Sequence, residues 1–80
     1  MMVDVLLFAS LKEGLGDSVA LDVPEPVTVS ALLRAFGERF PKYKSALSHL
    51  NVAVNLEYQV GDQPIPPGAE VALFPPVSGG

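Results

Sequence analysis

Few residues in this chain have the chemistry of a catalyst. Cysteine is absent, so there is no thiolate nucleophile, disulfide framework or Cys-based metal site. That usage fits a reducing compartment. His49 is the one histidine, and no Ser and Asp are spaced around it as a triad, so it reads as a structural or solvated side chain. Gly14-x-Gly16 is a fragment of a nucleotide loop. Val19 takes the third glycine position and no clear helix follows, so the fragment reads as a turn. No Walker-type loop is present, so any ATP must be held by a partner. Glu13, Asp17 and Asp22 read as solvated loop charge rather than metal ligands, and no metal site is expected.

What remains is the terminus, Phe74-Pro75-Pro76-Val77-Ser78-Gly79-Gly80. Two prolines hold the start of this segment extended and away from the preceding strand. The six residues after Phe74 reach roughly 20 Å at about 3.3–3.6 Å each. Gly79 and Gly80 carry no side chains, so they fit a narrow channel and leave the terminal carboxylate open on all sides. A stiff neck ending in a slim carboxylate suits delivery into another protein's active site. A free C-terminal carboxyl has a pKa of about 3.3–3.7. It is therefore ionised at neutral pH and a poor electrophile until activated.

The elements that must position this terminus follow from the apolar pattern. Val3 to Ala9 is a short apolar run rich in Val, Leu and Phe, read as a strand buried on both faces or nearly so. Ser10 to Asp17, with two glycines, reads as a loop with at most one helical turn. Ser18 to Val23 alternates strictly and is a half-buried strand, which suggests an antiparallel hairpin with the first. Pro24-Glu25-Pro26 ends it. Thr28 is an N-cap for a helix from Val29, with Val27 and Leu32 placed as a hydrophobic staple. Val29, Leu32, Leu33, Phe36 and Phe40 share one helical face, opposite Arg34 and Glu38. Pro41 stops that helix, and Tyr43, Ala46, Leu47 and Leu50 space a second, shorter one. Asn51 to Asn55 alternates again with Val52 and Val54 inward. Glu57 to Val60 is a short strand before a Gly61-Asp62 turn. Pro66-Pro67-Gly68 predicts a type II turn, and Glu70 to Phe74 is the last strand, ended by Pro75-Pro76.

A hairpin, a helix across it and further strands of the same sheet is the α+β arrangement called β-grasp, or ubiquitin-like. The expected product is a mixed sheet with one main helix over residues 1–74, followed by a flexible Gly-Gly tail over 75–80. A ferredoxin-like βαββαβ order needs a second full helix before the last strand. Residues 61–68 are too rich in Pro and Gly to supply one. Strand parity adds a functional expectation. Asp4, Leu6 and Phe8 share one face of the first strand; Glu70, Ala72 and Phe74 share one face of the last. The two acids mark the solvent side, and first and last strands are neighbours in a β-grasp sheet. Phe8 and Phe74 should therefore sit close together on the open face, with Leu6 extending an apolar patch that marks an interface.

Composition bounds the function. Eighty residues, 8.4 kDa, make one domain. A domain this small buries only about 60% of the surface its unfolded chain exposes, too little for a core plus a deep catalytic cleft. Charged residues are 18% against 49% hydrophobic, below the roughly 25% charged of an average domain, so apolar side chains must face outward. Five basic against nine acidic residues, net −4, argue against a nucleic-acid footprint. The small cluster Arg39, Lys42 and Lys44 does not alter that. Nothing approaches the roughly 20 apolar residues of a membrane span. The start Met1-Met2-Val3-Asp4 lacks the basic region of a signal peptide, so a cytoplasmic location is expected.

The residues also carry a family resemblance. Gly68-Ala69-Glu70-Val71-Ala72-Leu73 followed by Phe74-Pro75-Pro76-Val77-Ser78-Gly79-Gly80 resembles the C-terminus of the molybdopterin synthase small subunit, the MoaD-type sulfur carrier of the MoaD/ThiS family. Phe8-Ala9-Ser10-Leu11-Lys12-Glu13 with Gly16 resembles that family's first strand and loop, and Val52-Ala53-Val54-Asn55 its central strand. Leu56 stands where a glycine is common and Ala69 where an aspartate is common. The resemblance implies that a ubiquitin-activating-type adenylyltransferase uses ATP to adenylate Gly80. Sulfur from a donor then replaces the adenylate to give a thiocarboxylate. The tail inserts into the large synthase subunit, in a heterotetramer, where the sulfur passes to a pterin precursor. On this reading the chain binds no cofactor itself. Gly80 carries the sulfur, Gly79 gives access, and Pro75, Pro76, Val77 and Ser78 thread the partner's channel. Phe8 and Phe74 anchor the interface. Tyr58 joins them on the resemblance more than on parity. The alternatives are a ubiquitin-like modifier conjugated through Gly80, the sulfur carrier of thiamine thiazole synthesis (which the aromatic-Pro-Pro neck argues against by resemblance), and a β-grasp adaptor with an idle tail.

Overall fold

A computed structural model describes residues 1–76. Val77, Ser78, Gly79 and Gly80, which carry the expected tail insertion and sulfur attachment, lie outside the described residues.

The five strands form one mixed sheet in the order β2-β1-β5-β3-β4. Strand β1 (Met2–Leu7) pairs antiparallel with β2 (Ser18–Asp22), and β5 (Val71–Phe74) lies parallel to β1. On its other side β5 pairs antiparallel with β3 (Asn51–Val54), which pairs with β4 (Glu57–Tyr58). This is the β-grasp arrangement, with first and last strands side by side at the centre.

Two expectations are corrected here. The first strand is not buried on both faces. Val3, Val5 and Leu7 are buried while Met2, Asp4 and Leu6 are exposed. Helices cover only one side of the sheet, so the apolar outward residues of β1 have no layer above them. The segment after it is also more than a loop: Ala9–Leu15 forms helix α1, closed by Gly16 at φ 96°. Leu11 is buried, and Leu15, four residues on along the same helical face, packs against the core. Burial of that short apolar edge outweighs the low helix propensity of Gly14.

Helix α2 (Val29–Arg39) starts where its cap residue indicates. The Thr28 hydroxyl accepts a hydrogen bond from the Ala31 amide at 3.2 Å. Val27 and Leu32 are both buried, as a staple requires. The same helix start is held from a distant segment. The Ser30 amide and hydroxyl both donate to the Asp62 carboxylate at 2.8 Å, the Val29 amide donates to the Gln63 carbonyl and the Ile65 amide to the Val27 carbonyl. A 3-10 helix over Pro41–His49 follows, the shorter helix that the spacing of Tyr43, Ala46 and Leu47 predicts. It packs close to α2 because Gly37 has no side chain: a Cβ there would stand 2.6 Å from Leu47 Cδ1. The turn at residues 66–69 closes as predicted, with Gly68 at φ 78° and the Ala69 amide bonded to the Pro66 carbonyl.

The core lies between α2 and one face of the sheet. Val5, Val23, Leu32, Phe36, Val71 and Leu73 have no measurable exposure. Each such side chain contributes roughly 1.5–3 kcal/mol relative to leaving it in water. Phe36 is the centre of an aromatic cluster of tilted rings, 5.2 Å from Phe40 and 5.7 Å from Tyr43.

Candidate functional site

The opposite face of the sheet has no helix over it. Leu6 pairs across to Ala72 on β5, Ala72 to Ala53 on β3, and Ala53 to Tyr58 on β4. The register therefore lines up large, small, small and large side chains in one row. The two alanines form the floor of a shallow depression of about 330 Å³ between Leu6 and Tyr58. One step further along β1 and β5, directly after the Leu7–Leu73 pair, stand Phe8 and Phe74.

The parity expectation is met in detail. The Phe8 and Phe74 rings stack with centroids 4.6 Å apart and planes 11° from parallel. Tyr58 meets the Phe74 ring edge-on at 5.6 Å and 66°. Each such aromatic pair is worth about 0.5–1.5 kcal/mol beyond area burial. The cluster nonetheless stays open to water: Phe8 is 40% exposed and Tyr58 69%. Pairing of Tyr58 with Ala53 explains a placement that parity in a two-residue strand left undecided.

The structure brings Phe8, Phe74 and Tyr58 together and continues them into Pro75, half-buried, and Pro76, exposed. The chain thus leaves the sheet beside the stacked rings. Asp4 and Glu70 precede Val5 and Val71 on the two central strands, both exposed, so the apolar end of the face grades into an acidic one. The basic residues Arg34, Arg39, Lys42 and Lys44 lie on α2 and the 3-10 segment, on the other side of the sheet. Arg39 sits over the Phe40 ring at 5.3 Å and Lys42 over Tyr43 at 5.5 Å. His49 is exposed at the end of the 3-10 segment and does not line the depression. Lys12 pairs with Asp17 at 3.5 Å on the surface.

Asp62 is the one described group whose acidity clearly moves. The backbone N–H of Ser30, then its hydroxyl, holds the carboxyl below the usual aspartate range. That is a helix-capping effect remote in kind from the aromatic face. Among the described residues no group of three or more His, Asp or Glu could hold a metal ion. No helix among them is long and apolar enough to cross a membrane.

The alanine floor escaped sequence reasoning, and Leu56 was noted only as standing where the family resemblance makes a glycine common. The floor had a signal: Ala53 and Ala72 fall on the outward parity of their strands. Leu56, 88% exposed on the rim of the depression, had a weaker one, an apolar residue in a two-residue connection between alternating strands.

The geometry is an open apolar platform beside the point where the chain leaves the sheet. The ThiS family model matches residues 5–80. The chain belongs to the ThiS family. A relative named molybdopterin synthase sulfur carrier subunit, from Dictyostelium discoideum, is 41% identical over 95% of this chain and 93% of its own length. A protein of the same name from Escherichia coli K12 is 39% identical over 99% of this chain and 100% of its own. Among solved structures, SAMP1 of Haloferax volcanii superposes with a TM-score of 0.79 at 35% identity, covering 100% of both chains. A protein–protein complex of subunits 1 and 2 of molybdopterin-converting factor from Helicobacter pylori contains a similar chain, with a TM-score of 0.66 at 27% identity over 100% of both.

Proposed function

We propose that this chain is the sulfur carrier subunit of a molybdopterin synthase, with the Gly80 carboxylate as the sulfur-bearing group. The observation that carries the reading is the aromatic cluster of Phe8, Phe74 and Tyr58 at the point where β5 passes into Pro75-Pro76. The names borne by its relatives support the same reading. In this role the three rings anchor the large subunit, Val77 and Ser78 line its channel, and Gly79 keeps the approach narrow. Two carriers and two large subunits form a heterotetramer in the cytoplasm.

The chemistry needs ATP, held by an adenylyltransferase of the ubiquitin-activating type. A Gly80 carboxylate oxygen attacks the α-phosphorus and pyrophosphate leaves. Sulfur at the sulfide level, delivered by a donor, attacks the acyl carbon; the acyl–adenylate bond breaks and AMP leaves, giving a thiocarboxylate. Within the synthase that sulfur attacks the pterin precursor, and water then cleaves the acyl–sulfur bond, leaving the sulfur on the pterin and regenerating the Gly80 carboxylate. The test is intact mass spectrometry after incubation with the activating enzyme, ATP and a sulfur donor. The expected result is a mass gain equal to sulfur replacing oxygen, mapped to Gly80. No gain, with the activating enzyme competent on another carrier, overturns the reading. Removing Gly80 should abolish sulfur transfer and leave the unfolding midpoint unchanged.

The likeness to SAMP1, also solved under the name small archaeal modifier protein 1, favours a second reading, a modifier joined to lysines through Gly80. Both routes share the adenylate. An isopeptide-linked adduct on a target protein distinguishes the second.

A further inference from the structure

Backbone strain singles out one residue on the rim of the docking face. Among the described residues, three other than glycine adopt positive φ: Ala9 at 53°, Asn55 at 52° and Leu56 at 70°. All three adjoin the aromatic cluster in sequence. Ala9 follows Phe8, and Asn55-Leu56 is the turn into the short strand that carries Tyr58. Asparagine visits this region readily; leucine does not, because its Cβ crowds the following carbonyl oxygen. Such strain persists only where the surroundings over-determine it, and it gathers at functional sites.

The surroundings here are specific. The Asn55 amide donates to the Glu70 carbonyl at 2.8 Å, and the Glu70 amide donates back to the Asn55 side-chain oxygen at 3.0 Å. This double bond pair pins the turn to β5 whatever side chain follows Asn55. Leu56 is 88% exposed, so burial within the chain does not offset its strain. Glycine would make the same turn with less. The fold therefore gains nothing from a leucine at this position, yet the side chain lines the same depression as Leu6, Phe8, Tyr58 and Phe74.

We infer that Leu56 is a specificity residue of the docking face, an apolar rim held in a strained turn to close around a side chain of the partner. The occupant is the large synthase subunit, so the inference rests on the function proposed above. In that reading the large subunit is anchored on Phe8, Tyr58 and Phe74, and Leu56 lines the same depression as those rings, so a subunit seated on them also covers it. The floor of Ala53 and Ala72 and the apolar rim fit an apolar side chain of that subunit. Glu70 at the edge fits a basic group beside it.

The test is a calorimetric titration of the full chain with the large subunit, alongside thermal unfolding of each carrier variant. Leu56→Gly should weaken binding about tenfold while its unfolding midpoint stays level or rises, because left-handed strain is relieved. Leu56→Met should bind within about twofold of the unchanged chain. A purely structural role would instead lower the midpoint of Leu56→Gly and leave affinity alone, and either result overturns the inference. If Leu56→Gly binds normally while Phe74→Arg does not, the inference fails and the proposed function stands. If the unchanged chain does not bind the large subunit, both fail. Self-association of the chain alone, abolished by Leu56→Gly, would assign the face to a second copy and overturn the assignment made here.

Discussion

The two faces of the sheet are built from the same alternating strands and end up with opposite roles. On the inner face Val5, Val71 and Leu73 have no measurable exposure, and their partners are the aliphatic and aromatic side chains of α2. On the outer face Leu6 and Phe8 remain about two-fifths exposed and Tyr58 more so, and their partners are one another. Large apolar residues stand on both sides, although Asp4 and Glu70 mark only the outer one, so hydrophobicity alone does not separate fold from site. A covering layer does. Where helices supply one, apolar residues hold the chain together; where none exists, the same residues form a surface that still has area to bury, the signature of an interface.

The comparison breaks most visibly at Phe36. Phe36→Ala should lower stability by about 3–5 kcal/mol, read as a shift in the denaturant midpoint, because a fully buried ring leaves a cavity between α2 and the sheet. A loss below 1 kcal/mol would mean that the inner face is not the structural one. Phe74→Arg is the matching change outside. It should cost the fold about 1–3 kcal/mol, the worth of its two ring pairs, while weakening large-subunit binding by a factor of about 30 or more. Affinity equal to that of the unchanged chain would remove the outer face from the interface.

Smaller effects sharpen the contrast on the helix side. Thr28→Ala removes the side-chain acceptor for the Ala31 amide and should destabilise by about 1 kcal/mol without altering partner binding. Asp62 tests the same helix end by pH. Its carboxyl is held below the ordinary range by Ser30. Its contribution is therefore present above the unfolded aspartate's pKa and is lost as pH falls through the lower, folded value. Asp62→Asn should flatten that part of the acid limb of an unfolding titration. An unchanged acid limb would show that the Ser30 bonds are not maintained in solution.

Much of this was legible in the chain because it depends on local spacing. Alternation at Ser18 to Val23 and Asn51 to Asn55, the cap at Thr28, the periodic face of α2 and the Pro66-Pro67-Gly68 turn all rest on interactions within a few residues. Parity even placed Phe8 and Phe74 on one face, since a strand's side-chain period is two wherever the strand lies. Helix α1 was not legible. Seven residues with two glycines nearby have too weak a local preference, and their helix depends on the core that Leu11 enters.

Other features had no local signature at all. That Asp62 caps a helix beginning at residue 29, that Tyr58 falls beside Phe74, and that Asn55 is pinned to Glu70 are contacts between segments distant in sequence. The strain at Leu56 has a nearer cause, because Val54 pairs with Glu57 and a two-residue hairpin connection of this kind takes positive φ at both its residues. The sequence alone determined which residues alternate, where the helix starts and what stands at the end of the chain, because short-range sterics and periodicity set those. The tertiary structure decided which apolar residues were covered and which were left open. That depends on where the helices pack, and helices pack on one side of this sheet only.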